Sequence, residues 1–351
     1  MTPDFPPDWP RTAPPPASGV LRAAPEDFIV DEILTIALSG SGEHVWLKVR
    51  KRGWTTDRVA QQLARAAGVA RRDVGFAGMK DRHAVTTQWF SVQLPGRDAP
   101  RWVEALPSGI EVLEEVRHAR KLQSGALAGN RFAITLRECT GDRALLGACV
   151  DTLRVHGTPN YFGEQRFGHH GANVERALAM FTGKLRTRDR TLRGIYLSAA
   201  RSYLFNEVLA QRVRTNTWES GLDGEAFLLN GTHSFFIADH IDALLIERLQ
   251  AHDIHPSGPL WGQGEALPHA SVRQMEDEVL ARHADLTTGL AAAGLRQERR
   301  ALRLFPQDLV AEWTDATSLR IGFQLPPGSY ATVVLRELVD YRVATAMVDE
   351  D

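Results

Sequence analysis

The sequence is poor in cysteine and has no long apolar run, and these absences exclude several classes of protein. Two cysteines, Cys139 and Cys149, cannot build a disulfide framework or a cysteine-rich zinc site, and their apolar surroundings indicate buried thiols. No apolar run approaches the roughly 18 residues of a membrane span. The first 16 residues contain seven prolines and two aspartates, which is unlike a signal peptide. We therefore expect a cytoplasmic protein with no membrane partner.

The common nucleotide and zinc-protease signatures are also absent. The chain contains no GxGxxG, GxxxxGK[ST] or HExxH segment. Its 351 residues, 43% of them hydrophobic and 24% charged, are typical of a globular protein of one large or two ordinary domains.

The net charge of −2 gives no sign of a nucleic-acid binder, but the local charge does. Residues 156–201 contain eight Lys or Arg and three acidic residues, a local charge of +5. Phosphate binding needs only such a patch. A solvated helix face with ordinary arginine usage explains the same pattern.

Hydrophobic periodicity predicts strands first, then helices, then strands again. The predicted strands are Asp27–Ile33, His44–Lys51, Val85–Leu94, Ile110–Val116, Arg131–Glu138 and Leu319–Leu325. The predicted helices are Thr55–Val69, one capped by Asp142, Asn173–Phe181, Leu197–Val213, Asp239–Leu249 and Ser271–Leu286. This order indicates a mixed α/β sheet domain interrupted by a largely helical insertion.

The densest group of reactive side chains is in GFAGMKDRHAVTTQ, residues 75–88. Its glycines allow a ligand to approach the main chain, and Asp81 lies between the cations Lys80 and Arg82. Neighbouring cations favour an ionised carboxylate, as a nucleophile acting on a sugar–phosphate would require. A loop with solvated charges, or a turn aspartate, is the alternative.

Other chemistries need partners that the sequence does not single out. A glycosidase-like pair requires a second acid, for which Glu26, Asp27, Asp31, Glu32 and Glu164 are equal candidates. A metal site would use His83, His118 and the adjacent pair His169 and His170. Adjacent histidines cannot easily bind one ion together, so we expect no metal.

Two more segments combine turns, aromatic rings and basic residues. Pro159–Gly168, PNYFGEQRFG, places three aromatics beside Arg166, a combination that can stack bases and bind phosphate. A hinge loop packed by its own aromatics explains it too. Arg117–Phe132 combines a basic cluster with Asn130 and Phe132, an amide and a ring suited to a base pocket. A core Phe at the start of a strand explains Phe132 equally well.

Taken together and in order, these motifs resemble the TruD family of tRNA pseudouridine synthases. The resemblance rests on PEDFIVDE, GFAGMKDRHAVTTQ, HARKLQSGALAGNRF, PNYFGEQRFG, LSAARSYLFNEVL and LPPGSYATVVLREL, and extends from about Gly19 to Leu338. It implies isomerisation of uridine to pseudouridine, typically at position 13 of tRNA, without metal or cofactor. It also implies an α+β fold, a pseudouridine synthase mixed-sheet domain with an inserted, largely helical TRUD domain.

The resemblance assigns roles to individual residues. Asp81 matches the catalytic aspartate, and Arg22 matches a basic residue that pairs with it. Asn130 and Phe132 match a base-binding pair, Phe28 matches a stacking aromatic, and Lys80 supports the site from within the same motif. Tyr330 stands where some members of the family have Phe, so no catalytic role is assigned to its hydroxyl.

These assignments predict a domain plan and an RNA surface. The plan is a proline-rich arm at 1–18, a catalytic domain at 19–155 and 305–351, and an inserted domain at 156–304. We expect tRNA as the substrate and a monomer with no obligatory protein partner. The basic residues expected to contact RNA are Arg117, Arg120, Lys121, Arg166, Lys184, Arg186, Arg188, Arg190 and Arg193.

Overall fold

The computed structural model describes residues 9–123 and 125–344, and these form two compact units. The sheet unit comprises Pro15–Arg154, Pro306–Gly328 and the chain from Leu338. The helical unit comprises the chain up to Pro14, Val155–Phe305 and Ser329–Glu337. The first eight residues of the predicted arm, and residues 345–351, lie outside the described residues.

The described part of the chain contains 16 strands and nine α-helices. The strands are β1 Ala17–Leu21, β2 Phe28–Ile33, β3 His44–Arg52, β4 Val74–Phe76, β5 Val85–Gln93, β6 Ile110–His118, β7 Gly129–Gly141, β8 Thr158–Pro159, β9 Glu225–Leu229, β10 Phe235–Ala238, β11 Ile254–Leu260, β12 Glu298–Ala301, β13 Arg303–Leu304, β14 Gln307–Trp313, β15 Leu319–Leu325 and β16 Val339–Val343. The helices are α1 Thr56–Ala67, α2 Trp102–Ala105, α3 Arg143–His156, α4 Ala172–Phe181, α5 Arg190–Arg214, α6 Ala243–Gln250, α7 Ala270–Ala281, α8 Ala284–Ala292 and α9 Ala331–Leu338.

The sheet unit is built on a mixed sheet, as the sequence predicts. Its main path runs β14-β15-β7-β2-β5-β3-β6, with β1 pairing β7 and β16, and β4 pairing β5. The β2–β5 and β1–β16 pairs are parallel, whereas the other pairs are antiparallel. The central strand β2 places Phe28, Val30 and Glu32 on one face, because alternate residues of a strand share a face.

Helix α1 covers one end of this sheet and ends as the sequence predicts. Thr55 Oγ1 accepts a hydrogen bond from the Arg58 N–H, and Gly68 closes the helix in the left-handed conformation with φ 61°. Val59 and Leu63 pack against the inward side of β3, where Val45, Leu47 and Val49 are fully buried. The predicted cap of α3 is also present, since Asp142 Oδ1 accepts from the Ala144 N–H at 2.8 Å.

The helical unit surrounds the long helix α5. Tyr203, Leu204, Phe205 and Leu209 of α5 belong to a core shared with α4, α7 and α8. The helix begins at Arg190, seven residues before the predicted start, because Asp189 caps it by accepting from the Thr191 and Leu192 N–H groups.

The insertion, predicted as largely helical, also contains a four-stranded antiparallel sheet in the order β10-β9-β11-β12, which the sequence did not predict. Strand β9 is buried on both faces and shows no alternation, and β11 contains Pro256, Gly258 and Pro259, which are weak strand signals. The single helix predicted over Ser271–Leu286 is two helices, α7 and α8.

Trp9 brings the predicted proline-rich arm into the core of the helical unit. Its ring is 5% exposed, stacks on Tyr161 at 5.9 Å, and packs against Phe167 at 5.3 Å. Its indole Nε1 donates to Glu207 Oε1 at 2.8 Å. The arm therefore has fixed structure from Trp9, and β1 begins at Ala17, inside the range assigned to the arm.

No described helix is both long enough and apolar enough to cross a membrane.

We predict that Trp9→Ala lowers the free energy of unfolding by about 3–5 kcal/mol, because it empties a ring-sized space and leaves Glu207 without its indole donor. Urea denaturation followed by far-UV circular dichroism measures the change. Val103→Ala, at a highly exposed helical position, is the control and should stay within about 0.5 kcal/mol of the parent. A Trp9→Ala effect as small as that of the control would contradict a core role for the arm.

Candidate active site

Asp81 lies in a loop without regular secondary structure, residues 77–84, between β4 and β5. Side chains of neighbouring elements bind the main chain of this loop. The Lys80 N–H donates to Thr56 Oγ1 at 2.8 Å, and Gln88 Nε2 donates to a loop carbonyl at 3.3 Å. Thr56 Oγ1 donates in turn to Gln88 Oε1 at 2.8 Å. The loop is thus attached both to the first turn of α1 and to β5.

Both carboxylate oxygens of Asp81 have partners. Oδ1 accepts from the His83 N–H at 3.0 Å, and Oδ2 is 2.6 Å from Nη2 of Arg22. The Asp81 side chain is 30% exposed and that of Arg22 is 19% exposed, so the pair is reachable from solvent yet partly shielded from it. A charge-assisted contact of this length fixes the direction in which the carboxylate points.

Arg22 follows β1 and has an unusual main-chain conformation. Its φ is +60°, in the left-handed region that favours glycine. The guanidinium lies over the Phe28 ring with Cζ 4.4 Å from the ring centre, and one face of the cation is thereby covered by an aromatic ring. The structure therefore brings together Arg22, Phe28 and Asp81, three residues that the sequence assigned to one site.

Lys51 reaches the same loop from the sheet interior. This last inward-facing residue of β3 is fully buried, and its Nζ donates to the carbonyl of Asp81 at 2.6 Å and to that of Trp54 at 2.7 Å. Burial lowers the pKa of Lys51 to about 8, although the nearby Asp81 carboxylate acts in the opposite direction.

The Lys80 side chain points away from Asp81 and into the sheet. Its Nζ is 2.7 Å from Oε1 of Glu32, whose carboxylate is also bound at Oε2 by the Trp89 N–H at 2.8 Å. Burial raises the pKa of Glu32, and the contact with Lys80 opposes that shift. Lys80 therefore contributes to the site by anchoring the loop to β2, rather than through direct contact with the Asp81 carboxylate.

The predicted amide and rings lie on the Glu32 face of the sheet. Asn130 of β7 is in register with Glu32, and Phe132 is in register with Val30. The Phe28 and Phe132 rings meet edge-on with centres 6.4 Å apart. The Asn130 Oδ1 is buried and has no hydrogen-bond partner among the residues that the structure describes.

Three of the five acids considered as a second catalytic acid, Glu26, Asp27 and Glu32, have cationic partners. Asp27 Oδ1 accepts from Arg137 Nη2 at 2.7 Å, and Glu26 is 2.8 Å from Arg52. With Glu32 bound to Lys80, these candidates for a second catalytic acid are already neutralised by local cations.

The basic cluster at residues 117–121 has mostly local contacts. The Arg117 guanidinium donates to the carbonyls of Leu94 and Arg97, and the Lys121 ammonium donates to the carbonyl of Arg72. Arg120 is exposed, with its own carbonyl bound by the Trp46 indole at 2.8 Å. Arg117 thus supports a loop of the sheet unit.

The aromatics of PNYFGEQRFG lie inside the helical unit. Tyr161, Phe162 and Phe167 are all buried and belong to its core. They therefore cannot serve as an open platform for bases, and the alternative of a loop packed by its own aromatics is the one that the structure favours. Arg166 is half-buried, and its Nε donates to the Tyr330 hydroxyl at 2.8 Å.

The basic run that follows α4 is fully displayed to solvent. It consists of Lys184, Arg186, Arg188, Arg190 and Arg193. All five side chains are exposed, and none forms a salt bridge with another described residue. Arg190 and Arg193 lie in the first turn of α5, whose N-terminal dipole adds to their positive potential.

The histidines considered for a metal site are dispersed. Among residues 9–123 and 125–344, no group of three or more His, Cys, Asp or Glu side chains is placed to hold an ion. The rings of His169 and His170 meet edge-on with centres 4.0 Å apart, and His118 Nδ1 accepts from the Ser39 N–H at 3.1 Å.

Sequence reasoning missed Lys51, Thr56 and Gln88. One signal for Lys51 was available, since the alternation of β3 places it on the same side as Val45, Leu47 and Val49. A lysine at such a position must find buried partners. Nothing local marks Thr56 or Gln88, whose contacts with the loop depend on the tertiary fold.

Comparison with known proteins gives concordant matches. A family model for tRNA pseudouridine synthase D (TruD) matches residues 11–184 and 172–338. The tRNA pseudouridine synthase D of Nitrosococcus oceani is 52% identical over 330 residues, covering 93% of this chain and 92% of that protein. The Methylococcus capsulatus protein of the same name is 50% identical over 323 residues, covering 92% and 91%.

A solved structure shares the fold. The Methanosarcina mazei protein described as tRNA pseudouridine synthase D superposes with a TM-score of 0.68 at 21% identity, covering 91% of this chain and 93% of that one.

Proposed function

The chain belongs to the TruD family of tRNA pseudouridine synthases, and we propose on this premise that it converts uridine to pseudouridine at position 13 of tRNA. The observation that supports the proposal best is the Asp81 carboxylate, partly exposed and fixed by Arg22 at 2.6 Å. The proposed enzyme is an isomerase that acts as a single chain in the cytoplasm, on tRNA alone.

The proposed reaction breaks the C1′–N1 bond of the nucleotide, turns the uracil over, and joins C1′ to C5. N1 gains a proton and C5 loses one, so neither water nor a redox equivalent is consumed. Asp81 acts on the ribose either as a nucleophile at C1′ or as the base that removes the 2′ proton. One carboxylate therefore suffices, in keeping with the local pairing of Glu26, Asp27 and Glu32.

The target uridine must leave its stack before Asp81 can reach its sugar. We assign recognition of the turned-out base to Asn130 and Phe132, with Phe28 beside them. The Asn130 Oδ1, which has no hydrogen-bond partner among residues 9–123 and 125–344, supports this assignment, because a buried acceptor without a donor gains most when a base N–H reaches it. The Phe28 ring has a second task, since it also supports the Arg22 guanidinium.

Binding of the remaining tRNA is assigned to the helical unit. We propose that the exposed run from Lys184 to Arg193 contacts tRNA phosphates. Its lack of acidic partners among the described residues leaves its charge available, and each phosphate contact releases counterions. Arg166, whose Nε is bound by Tyr330, is a second candidate contact, as are Arg120 and Lys121.

Replacing Asp81 tests the reaction itself. We expect Asp81→Ala and Asp81→Asn to abolish pseudouridine formation while changing the Kd for tRNA by less than about threefold, because the carboxylate acts in the chemical step and not in uniform binding. Pseudouridine mapping, tRNA binding and free uracil are measured together. Asp31→Ala, on the opposite face of β2, is the matched control. Wild-type turnover by Asp81→Ala would contradict the proposal. Release of free uracil by the unmodified protein would indicate a glycosidase instead.

Arg22 is tested by charge rescue. Arg22→Ala should lower the rate at saturating tRNA by roughly 10–100-fold. The reason is that the Asp81 carboxylate loses a charge-assisted contact with the Arg22 guanidinium, worth about 1.5–3 kcal/mol. Arg22→Lys should recover part of that rate, since the charge returns without the two-donor geometry. Equal rates for the Ala and Lys variants would show that the charge is not what matters.

The basic run is tested through salt dependence. We expect the variant with Gln at all five positions to bind tRNA more weakly at low salt, and to lose about one unit of log–log salt slope for each real phosphate contact. The rate at saturating tRNA should change little. A five-fold Gln variant at exposed Arg58, Arg65, Arg72, Arg101 and Arg214, distributed over both units, is the charge-matched control. An unchanged salt slope in the variant of the basic run would show that the RNA-binding surface lies elsewhere.

A further inference from the structure

We propose that Lys51 is a positioning residue of the reaction proposed above, because its buried ammonium fixes the main chain of the loop that presents Asp81. The inference rests on that proposed function, and it adds a residue outside the set that the TruD motifs assign. Lys51 acts through the loop rather than on the substrate.

The contacts of Lys51 account for all three donors of its ammonium. Nζ donates to the carbonyls of Asp81 at 2.6 Å and Trp54 at 2.7 Å, and the carbonyl of Lys80 lies at 3.5 Å. Two of these acceptors belong to the Asp81 loop, and the third belongs to the turn between β3 and α1. Lys51 therefore connects the Asp81 loop to the C-terminal end of β3 and to the turn that follows it.

The chemistry of these acceptors separates Lys51 from an ordinary buried ion pair. Its hydrogen bonds go to main-chain carbonyls, and the carboxylates of Asp81 and Glu32 act on it only through their charge, opposed by the cation of Lys80. An apolar residue would fill this position on the inward side of β3 at no desolvation cost. A charged group here is explained by what it holds in place.

The part of the chain that Lys51 holds is the main chain of the reactive residue. The Asp81 carboxylate is directed by Arg22 and by the His83 N–H, but both contacts presuppose a fixed Cα position. A displacement of about 1 Å in a reacting group can cost roughly 10²-fold in rate. Removing the ammonium frees two adjacent carbonyls at residues 80 and 81, so we expect a loss of this order.

The charge of Lys51 gives the proposal a pH signature. The ammonium loses its proton in the folded protein as the pH rises through about 8, and the amine that remains is a weaker donor to the carbonyls. The same deprotonation changes the stability of the fold in the opposite direction from the expected change in rate. Because this pKa is lower than that of an exposed lysine, the charged form opposes folding, and the contribution of Lys51 to stability increases from about pH 8 upward. Unfolding caused by deprotonation of Lys51 therefore cannot explain a loss of rate above about pH 8.

The experiment compares Lys51→Met, Lys51→Arg and the control Lys48→Met, which removes a partly exposed lysine from the same strand. Single-turnover rates at saturating tRNA, Kd for tRNA and thermal stability are measured for each. We expect Lys51→Met to lose roughly 10²-fold in rate with nearly unchanged Kd, Lys51→Arg to recover part of it, and Lys48→Met to match the wild type.

The same rates are then followed from about pH 7 to about pH 9. The wild type should lose rate as Lys51 deprotonates, whereas Lys51→Arg, which stays charged, should lack that decline. Titration of the uridine itself affects both proteins equally, so the ratio of their rates isolates Lys51. If Lys51→Met fails to fold, this ratio alone decides the question.

Three results would overturn the inference. They are a Lys51→Met rate within about twofold of wild type, a Lys51→Arg rate no better than that of folded Lys51→Met, and a pH-independent ratio of wild type to Lys51→Arg. Each leaves the proposed function intact as long as the wild type forms pseudouridine and Asp81→Ala does not.

Discussion

The geometry of the site depends on how one loop satisfies its main-chain polar groups. Residues 77–84 form no strand or helix, so no ladder provides hydrogen bonds for them, and buried N–H and C=O groups must find partners elsewhere. The side chains of Thr56, Gln88 and Lys51 provide such partners for main-chain groups of residues 78, 80 and 81. The loop is thus built into the interior by side chains, which lets it hold a carboxylate at the surface in one orientation.

The arginines of this chain serve two purposes that composition cannot separate. In the helical unit, Arg212 and Arg299 are buried and pair with Glu225 and Glu276, with closest contacts of 2.8 and 2.7 Å. Such pairs cancel in any count of charge and contribute nothing to the outer potential. The run from Lys184 to Arg193 faces solvent instead. A local charge of +5 read from the sequence therefore acquires meaning only when burial is known.

Local patterns predicted the parts of the fold whose stability is local. Strands β3 and β15 alternate, α1 has its cap and its terminal glycine, and all were predictable within a few residues. Strand β9 and the docked Trp9 were not, because unbroken burial and contacts 198 residues apart leave no periodic signal. In the site, a motif indicated Asp81 and the family resemblance indicated Arg22. Lys51 was also predictable, because the alternation of β3 places it on the buried side, where a lysine must have hydrogen-bond partners.

Arg22 shows why the site could not be assembled from favourable local choices alone. A non-glycine residue with φ +60° costs about 1–2 kcal/mol of main-chain strain. Glycine would remove that strain, but it would leave Asp81 without its cation and the Phe28 ring without its cover. The buried ammonium of Lys51 also bears a desolvation cost, which is seen in the lowering of its pKa by burial. Both costs occur at residues that contact Asp81, Arg22 at its carboxylate and Lys51 at its main-chain carbonyl.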